Sequence, residues 1–134
     1  MVIDTFQSDQ GRQATAVCCD ANGSGTITFG HHLGHSVDAD TPEAQQVMFV
    51  GTLIHEVTHV RDQREGRLAA KTDRKSCVAV EKPGLEKQLE VKRALAVAGL
   101  SDGYRQALEG QISAEASALK SRALRDLYCG AFEN

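Results

Sequence analysis

The chain has 134 residues and a formal net charge of −3, with 4 Phe, 2 Tyr and no Trp. This length predicts a single domain over residues 1–134 with a hydrophobic core of its own. The acidic balance and the few aromatic side chains supply neither a basic surface nor a stacking platform for nucleic acid. No segment reaches the about 20 apolar residues of a membrane span. We therefore expect no nucleic-acid partner and no membrane partner.

The N-terminal part of the chain predicts short β-strands within residues 2–30. One is expected at residues 14–17, which read Ala-Thr-Ala-Val. Another is expected at residues 25–30, where apolar and polar side chains alternate between two glycines. The segment Met1–Phe6 is too short and too polar to be read as a signal peptide.

A long helix is predicted over residues 41–65. Thr41 fits the N-cap, Pro42 fits the first helical position, and Glu43 favours the positive end of the helix dipole. Gly66 provides a stop signal. Apolar residues cover most faces of this helix, which predicts that it is buried in the core. These residues are Ala44, Val47, Met48, Phe49, Val50, Leu53, Ile54, Val57 and Val60.

The most informative motif is H-E-x-x-H, formed by His55, Glu56 and His59 within this helix. Histidines at i and i+4 lie on one face of a helix, so both imidazoles can reach one metal ion. Glu56 lies at the edge of that face, where it can act as a general base on a metal-bound water. The motif therefore supplies two zinc ligands and a base.

The motif in its frame, L-x-H-E-x-x-H-V, resembles the core of the zincin metallopeptidases, and the similarity runs over about residues 25–98. The resemblance implies peptide-bond hydrolysis with one Zn²⁺ per chain, Glu56 as general base, and an endopeptidase rather than an exopeptidase. It also implies that an edge strand before the active-site helix binds extended substrate. The residues in that position are Thr26, Ile27, Thr28 and Phe29.

Catalytic zinc needs a third protein ligand. In gluzincins, a glutamate on a second helix supplies it, and such a helix is predicted over residues 84–98 after Pro83. Glu90 resembles the family ligand best, and Glu86, one turn earlier on the same face, is the alternative. The chain departs from the thermolysin-like pattern at the residue before Glu90 and at the residue four after it, where Leu89 and Ala94 replace Asn and Asp.

Asp62 follows His59 by about one helical turn. It can accept a hydrogen bond from that imidazole and so fix the ring's tautomer. The alternative is a salt bridge with Arg61 or Arg64 on the exposed end of the helix. The sequence does not separate these two roles.

Four cysteines are scattered along the chain without C-x-x-C spacing, which disfavours a structural zinc knot. We expect Cys18 and Cys19 to bond with Cys77 and Cys129 in some order. Such bridges imply an oxidising compartment, so the protein is expected to be secreted or periplasmic. The alternative is four reduced cysteines, some of them in the core.

A third helix is expected over residues 103–128, with an apolar stripe beginning at Tyr104 and Leu108. The predicted fold is α+β, with a small N-terminal sheet, including an edge strand, packed on a zincin-like body of three helices. The predicted function is a zinc metallopeptidase acting on a peptide or protein substrate. The alternatives are a non-catalytic metal-binding or interaction domain on the same scaffold and a secreted toxin metallopeptidase of narrow specificity.

Overall fold

The computed structural model describes residues 2–6, 14–17, 21, 24–30, 41–67, 71, 73–120 and 129. Within this part of the chain, a small sheet precedes a body of three helices. The elements are β1 (Val2–Phe6), β2 (Ala14–Val17), β3 (Thr26–Gly30), α1 (Pro42–Arg64), α2 (Arg74–Ala96) and α3 (Asp102–Lys120). The predicted helical body is confirmed, although the expected extension of the third helix to residue 128 lies outside the described residues.

The sheet has the order β1-β3-β2, so β3 is its central strand. β3 pairs in parallel with β1, where Val2 lies opposite Thr26, and antiparallel with β2, where Ala14 lies opposite Phe29. The prediction of an open edge strand was therefore wrong for Thr26, Ile27, Thr28 and Phe29, because both sides of that strand are already paired. The alternation within one strand indicates that it is a strand but does not say how many neighbours it has.

The ends of α1 are where the sequence predicts them. The Thr41 hydroxyl accepts a hydrogen bond from the Ala44 amide at 3.1 Å, and Pro42 occupies the first turn. The helix ends just before Gly66, which has a φ of 72°. Glycine adopts this left-handed conformation without the steric cost of a Cβ atom. Burial is uneven around the helix, since Phe49 is 40 % exposed. Most of the buried residues share one face, whereas Val60 lies roughly 100° around the axis from His59. The buried residues are Ala44, Val47, Gly51, His55, Thr58, His59, Val60 and Asp62.

α2 begins ten residues earlier than predicted. Asp73 caps its start, because the Asp73 side chain accepts from the Ser76 amide at 2.8 Å while the Ser76 hydroxyl accepts from the Asp73 amide at 3.0 Å. The helix then continues through Pro83, which lacks the N–H that would bond the carbonyl of Ala79. Both residues are exposed, so solvent can satisfy that carbonyl. The reciprocal cap at Asp73 and the buried side chains along α2, among them Cys77, Leu85 and Leu89, together offset the helix-breaking effect of Pro83.

A disulfide joins Cys77 in the first turn of α2 to Cys129, with a Cα–Cα distance of 5.8 Å. The predicted pairing of these two residues with Cys18 and Cys19 was wrong, and the latter two lie outside the described residues. Both half-cystines are fully buried, together with Ile27, Leu85 and Leu108. The bridge thus ties the buried start of α2 to Cys129, which lies beyond α3 in the chain.

The helices pack so that α1 contacts both α2 and α3, while β2 and β3 lie against α1. Contacts along α1 and α2 run in opposite order, with Gly51 beside Lys92 and His59 beside Glu81, so the two helices are antiparallel. Among the described helices, none is long and apolar enough to cross a membrane.

Candidate metal centre

His55, His59 and Glu81 bring one potential ligand atom each to within 4.8 Å of one another. The His55 Nε2 atom lies 2.7 Å from Glu81 Oε2, and the His59 Nε2 atom lies 3.2 Å from the same oxygen. The two imidazoles stand edge to face, with ring centroids 4.6 Å apart. The i, i+4 spacing on α1 and the antiparallel approach of α2 therefore converge two ring nitrogens on one carboxylate.

All three side chains are buried, at 6 % exposure for His55, 8 % for His59 and 7 % for Glu81. Burial on its own raises the pKa of the Glu81 carboxyl, but hydrogen bonds from His55, His59 and Lys71 outweigh it and hold that pKa far below its usual range. Lys71 reaches the second oxygen, Oε1, of the same carboxylate. Glu81 is thus an ionised acceptor surrounded by donors, which is the state a metal ligand requires.

Glu56 has the opposite electrostatic environment. Burial raises the pKa of its carboxyl to about 7, the Glu81 charge adds to the rise, and His55 and Lys71 partly offset it. A carboxylate with so high a pKa is a stronger base than an ordinary solvent-exposed one. The two glutamates near the histidines are therefore separated in acidity, one a fixed anion and the other able to exchange a proton near neutral pH.

The remaining nitrogens of the two imidazoles differ in their partners. His55 Nδ1 lies 2.9 Å from the side-chain oxygen of Gln88 on α2. His59 Nδ1 is buried without a hydrogen-bond partner among the described residues. One ring is thus held on both sides, and the other is held through Nε2 and its packing.

The glutamates predicted as third ligand lie elsewhere. Glu90 is exposed and pairs with Lys87 at 3.2 Å, and Glu86 is exposed on the same helix. Glu81 takes the place expected of Glu90, because α2 begins at Arg74 and passes His59 before it reaches residue 84. The signal that could have found it is Asp73, a good N-cap three residues before Ser76, which extends the helix back over Glu81.

Asp62 is buried, and its Oδ1 accepts from Arg61 and from Arg67, each at 3.0 Å. The structure thus places this carboxylate in an ion-pair cluster rather than against His59, the other role open to it. Burial tends to raise the pKa of Asp62, but the hydrogen bonds from Arg67 and Arg61 outweigh it and lower that pKa. Asp62 therefore stabilises the end of α1, where the Arg67 amide N–H also donates a hydrogen bond to the Asp62 carbonyl at 2.8 Å.

Replacing Asp62 by Asn should destabilise the protein by about 1 kcal/mol at pH 7, since a buried carboxylate with two arginine donors loses its charge. A lowered folded-state pKa means that this stability is present above the unfolded value of about 4 and is lost as the pH falls below it. Urea unfolding of both proteins at pH 7 and pH 4 should show the difference shrinking at the lower pH. A difference that grew on acidification would contradict the ion-pair role.

Two glycines allow α1 and α2 to approach closely at the site. A Cβ at Gly84 would lie 3.0 Å from three atoms of the His55 ring, and one at Gly51 would lie 2.6 Å from Lys92 Cε. Real Cβ atoms rarely come this close to an aromatic ring in a packed interior. The His55 ring therefore packs directly against the backbone of α2 at Gly84, where there is no side chain to hold it away.

Gly84→Ala should destabilise the protein by about 1–3 kcal/mol, because the new methyl group overpacks the helix interface. The matched control is Gly110→Ala in α3, where a Cβ would meet no atom within 4 Å. That change should stabilise by about 0.5–1 kcal/mol, as alanine is the better helix former. Urea midpoints measure both, and equal shifts of the same sign would show that Gly84 is not a packing constraint.

Comparison of the chain with protein-family models, with curated proteins and with solved structures finds no match.

Proposed function

We propose that the protein is a zinc-dependent hydrolase of peptide bonds, with zinc held by His55, His59 and Glu81. The observation that carries the proposal is the convergence of both motif histidines, through Nε2, on a single buried carboxylate from another helix. Buried histidine pairs are common in protein cores, but this pair lies beside a glutamate whose pKa is raised to about 7. A metallohydrolase needs both features, a set of ligands that holds the metal and a separate basic carboxylate that accepts a proton from the metal-bound water.

The donor set suits zinc. Two imidazole nitrogens and a carboxylate oxygen are typical of catalytic zinc sites, which keep a fourth position for water. Structural sites are instead closed by four protein ligands, and among the described residues the group has three. When bound, zinc would polarise the scissile carbonyl and lower the pKa of its water.

The chain's own residues would perform the proton transfers. Glu56 takes a proton from the attacking water and delivers it to the leaving amine, since burial makes its carboxylate basic near neutral pH. Glu81 remains ionised throughout. Lys71, which contacts Glu81 Oε1 and is about one-third exposed, brings its side-chain nitrogen to the edge of the same site. There it could donate a hydrogen bond to the oxygen of a substrate carbonyl as that oxygen becomes negative.

A second candidate function is a non-catalytic metal-binding domain. The observation that favours it is burial, because every ligand side chain is at least nine-tenths covered. A peptide would have to reach the metal past these covering groups. Retained zinc without hydrolysis of any peptide in a diverse library would select this function over the first.

The finer features of the fold and the compartment belong to the same proposal. We take the sheet and the three helices as a zincin-like arrangement, with β1 and β2 as the strands at the sheet edges. The Cys77–Cys129 bridge suits an oxidising compartment, so we place the protein in the periplasm or outside the cell.

The experiment is elemental analysis of untagged protein purified without chelator, followed by cleavage of a diverse peptide library. We expect about one zinc per chain and hydrolysis that a chelator abolishes and zinc restores. His59→Gln removes a proposed ligand and should lose zinc. Gln63→His is its control, because Gln63 lies one turn further along α1 and is exposed, so zinc binding should be kept. Absence of zinc uptake by the wild-type protein would refute the proposal.

A further inference from the structure

A chain of four buried or partly buried polar residues lies behind His55, on the side away from Glu81. It consists of Gln88 and Lys92 on α2 and Gln111 and Glu115 on α3. Gln88 Nε2 donates to Glu115 Oε1 at 2.7 Å, and Lys92 Nζ donates to the same oxygen and to Gln111 Oε1 at 2.8 Å. This buried polar chain joins α3, which supplies no ligand atom, to the candidate metal centre.

The hydrogen bonds fix the direction of the Gln88 amide. Its NH₂ group donates to a carboxylate, which can only accept, so its oxygen must face His55. The His55 Nδ1 atom, 2.9 Å from that oxygen, must then donate a proton to it. With Nδ1 bonded to Gln88, the ring turns Nε2 toward Glu81 and His59, and a zinc ion would take the place of the proton that Nε2 donates to the Glu81 carboxylate.

Lys92 is the most costly member of this chain. It is 2 % exposed, and the fold makes room for it at Gly51, where a Cβ would lie 2.8 Å from Lys92 Nζ. Burying an ammonium group is unfavourable unless it is paired and hydrogen-bonded. Its two partners are Glu115 and Gln111, and Gln111 in turn donates to the Ala44 carbonyl at 3.0 Å. Lys92 thus holds the Glu115 carboxylate where Gln88 needs an acceptor.

From these contacts we infer that Gln88 is a positioning residue for His55, and that Glu115, held by Lys92, orients the Gln88 amide so that His55 presents Nε2 to the metal. The inference rests on the proposed metal centre for its purpose. The hydrogen bond from His55 Nδ1 to Gln88, however, is made in the metal-free protein and can be measured on its own. Outer partners of metal-bound histidines typically contribute about 10–100-fold in metal affinity.

The test compares Gln88→Met, which keeps the size of the side chain but removes the acceptor, with wild type. Ring ¹⁵N spectra of the metal-free protein, with His55 assigned from its loss in His55→Gln, report which ring nitrogens bear a proton. We expect Nδ1 to bear a proton in wild type and to lose it in Gln88→Met, while Nε2 keeps the proton that it donates to Glu81. Zinc affinity, measured by competition with a chelating dye, should fall about 10–100-fold in this variant.

Two further variants keep the inference falsifiable if Gln88→Met folds poorly. The double change Gln88→Glu with Glu115→Gln preserves net charge and reverses the middle hydrogen bond, so the carboxylate at position 88 again accepts from His55. It should restore Nδ1 protonation and bring the affinity to within about three-fold of wild type. Gln106→Met, at an exposed position on α3, is the matched control and should change neither quantity.

The outcomes separate this inference from the proposed function. A proton that stays on Nδ1 in Gln88→Met, or an affinity equal to that of the control, would overturn the positioning role even if zinc binds. A wild-type protein that binds no zinc would refute the metal centre, and the spectra alone would then decide the role of Gln88. Failure of the double variant to restore the Nδ1 proton would show that Glu115 does not act through Gln88.

Discussion

Replacing Glu81 by Gln is expected to weaken zinc binding by more than about 100-fold, beyond the effect typical of an outer partner. Glu81 is the carboxylate on which both histidine Nε2 atoms converge, and its pKa is held far below the usual range, so it is ionised at neutral pH. An amide of the same shape offers zinc a neutral oxygen in place of an anion. Dye competition at pH 7 measures the affinity.

Glu90→Gln is the control for this prediction, since Glu90 lies on the same helix but is exposed and pairs with Lys87. It should leave zinc affinity within about two-fold of wild type and change stability by less than about 0.5 kcal/mol. The reverse pattern, with affinity lost at Glu90 and kept at Glu81, would mean that α2 is rotated or shifted relative to the arrangement described above.

Much of α1 and its two histidines could be predicted from sequence because the signals are local. A cap at Thr41, a proline in the first turn and a glycine after the last turn each act within a few residues. The placement of His55 and His59 on one face follows from helix geometry alone. Any helix over this segment would bring the two rings together, whatever packs against it.

The third member of the group depends on tertiary packing. Pro83 is a strong local signal against a continuing helix, yet α2 runs through it, because side chains on both sides of Pro83 are buried and the carbonyl that loses its hydrogen bond belongs to an exposed residue. Glu81 lies before Pro83, so a helix placed after that proline leaves Glu81 out. The turn of α2 at Gly84 packs closely against His55, because a Cβ at this position would lie 3.0 Å from the ring.

For the sheet and the cysteines, too, the local sequence predicts the element but not its partners. Alternation identifies residues 26–30 as a strand, but its central position depends on pairing with β1, far away in sequence. The count of four cysteines suggests bridges without giving their order. The bond between Cys77 and Cys129 spans 52 residues, and Cys77 lies in the part of α2 before Pro83 that the sequence does not predict as helix.

Replacing Glu56 by Gln is expected to lower the rate of hydrolysis by about 10²–10⁴-fold while zinc affinity stays within about two-fold. The amide cannot accept the water's proton, whereas the three proposed ligand side chains are unchanged. Turnover of the best library substrate and dye competition on the same preparation provide the two measurements. Loss of zinc together with loss of rate would make Glu56 a structural residue instead of a base.

Glu56→Gln should also change the pH dependence of the free energy of unfolding, because the Glu56 carboxyl has a raised pKa in the folded protein. Burial raises the folded-state pKa of Glu56 to about 7, above the unfolded value, so the folded protein holds this proton more tightly. The wild-type carboxyl therefore costs stability progressively as the pH rises from about 4.5 through 7, where it must ionise without full solvation.

Glu56→Gln removes that cost, so the metal-free variant should gain stability over wild type at pH 8 and gain little at pH 5. Urea midpoints at the two pH values measure this, and an equal gain at both would show that Glu56 does not titrate between them. A residue that destabilises the metal-free fold in its ionised form, and whose removal abolishes turnover but not zinc binding, is explained by a role in proton transfer and not by one in folding.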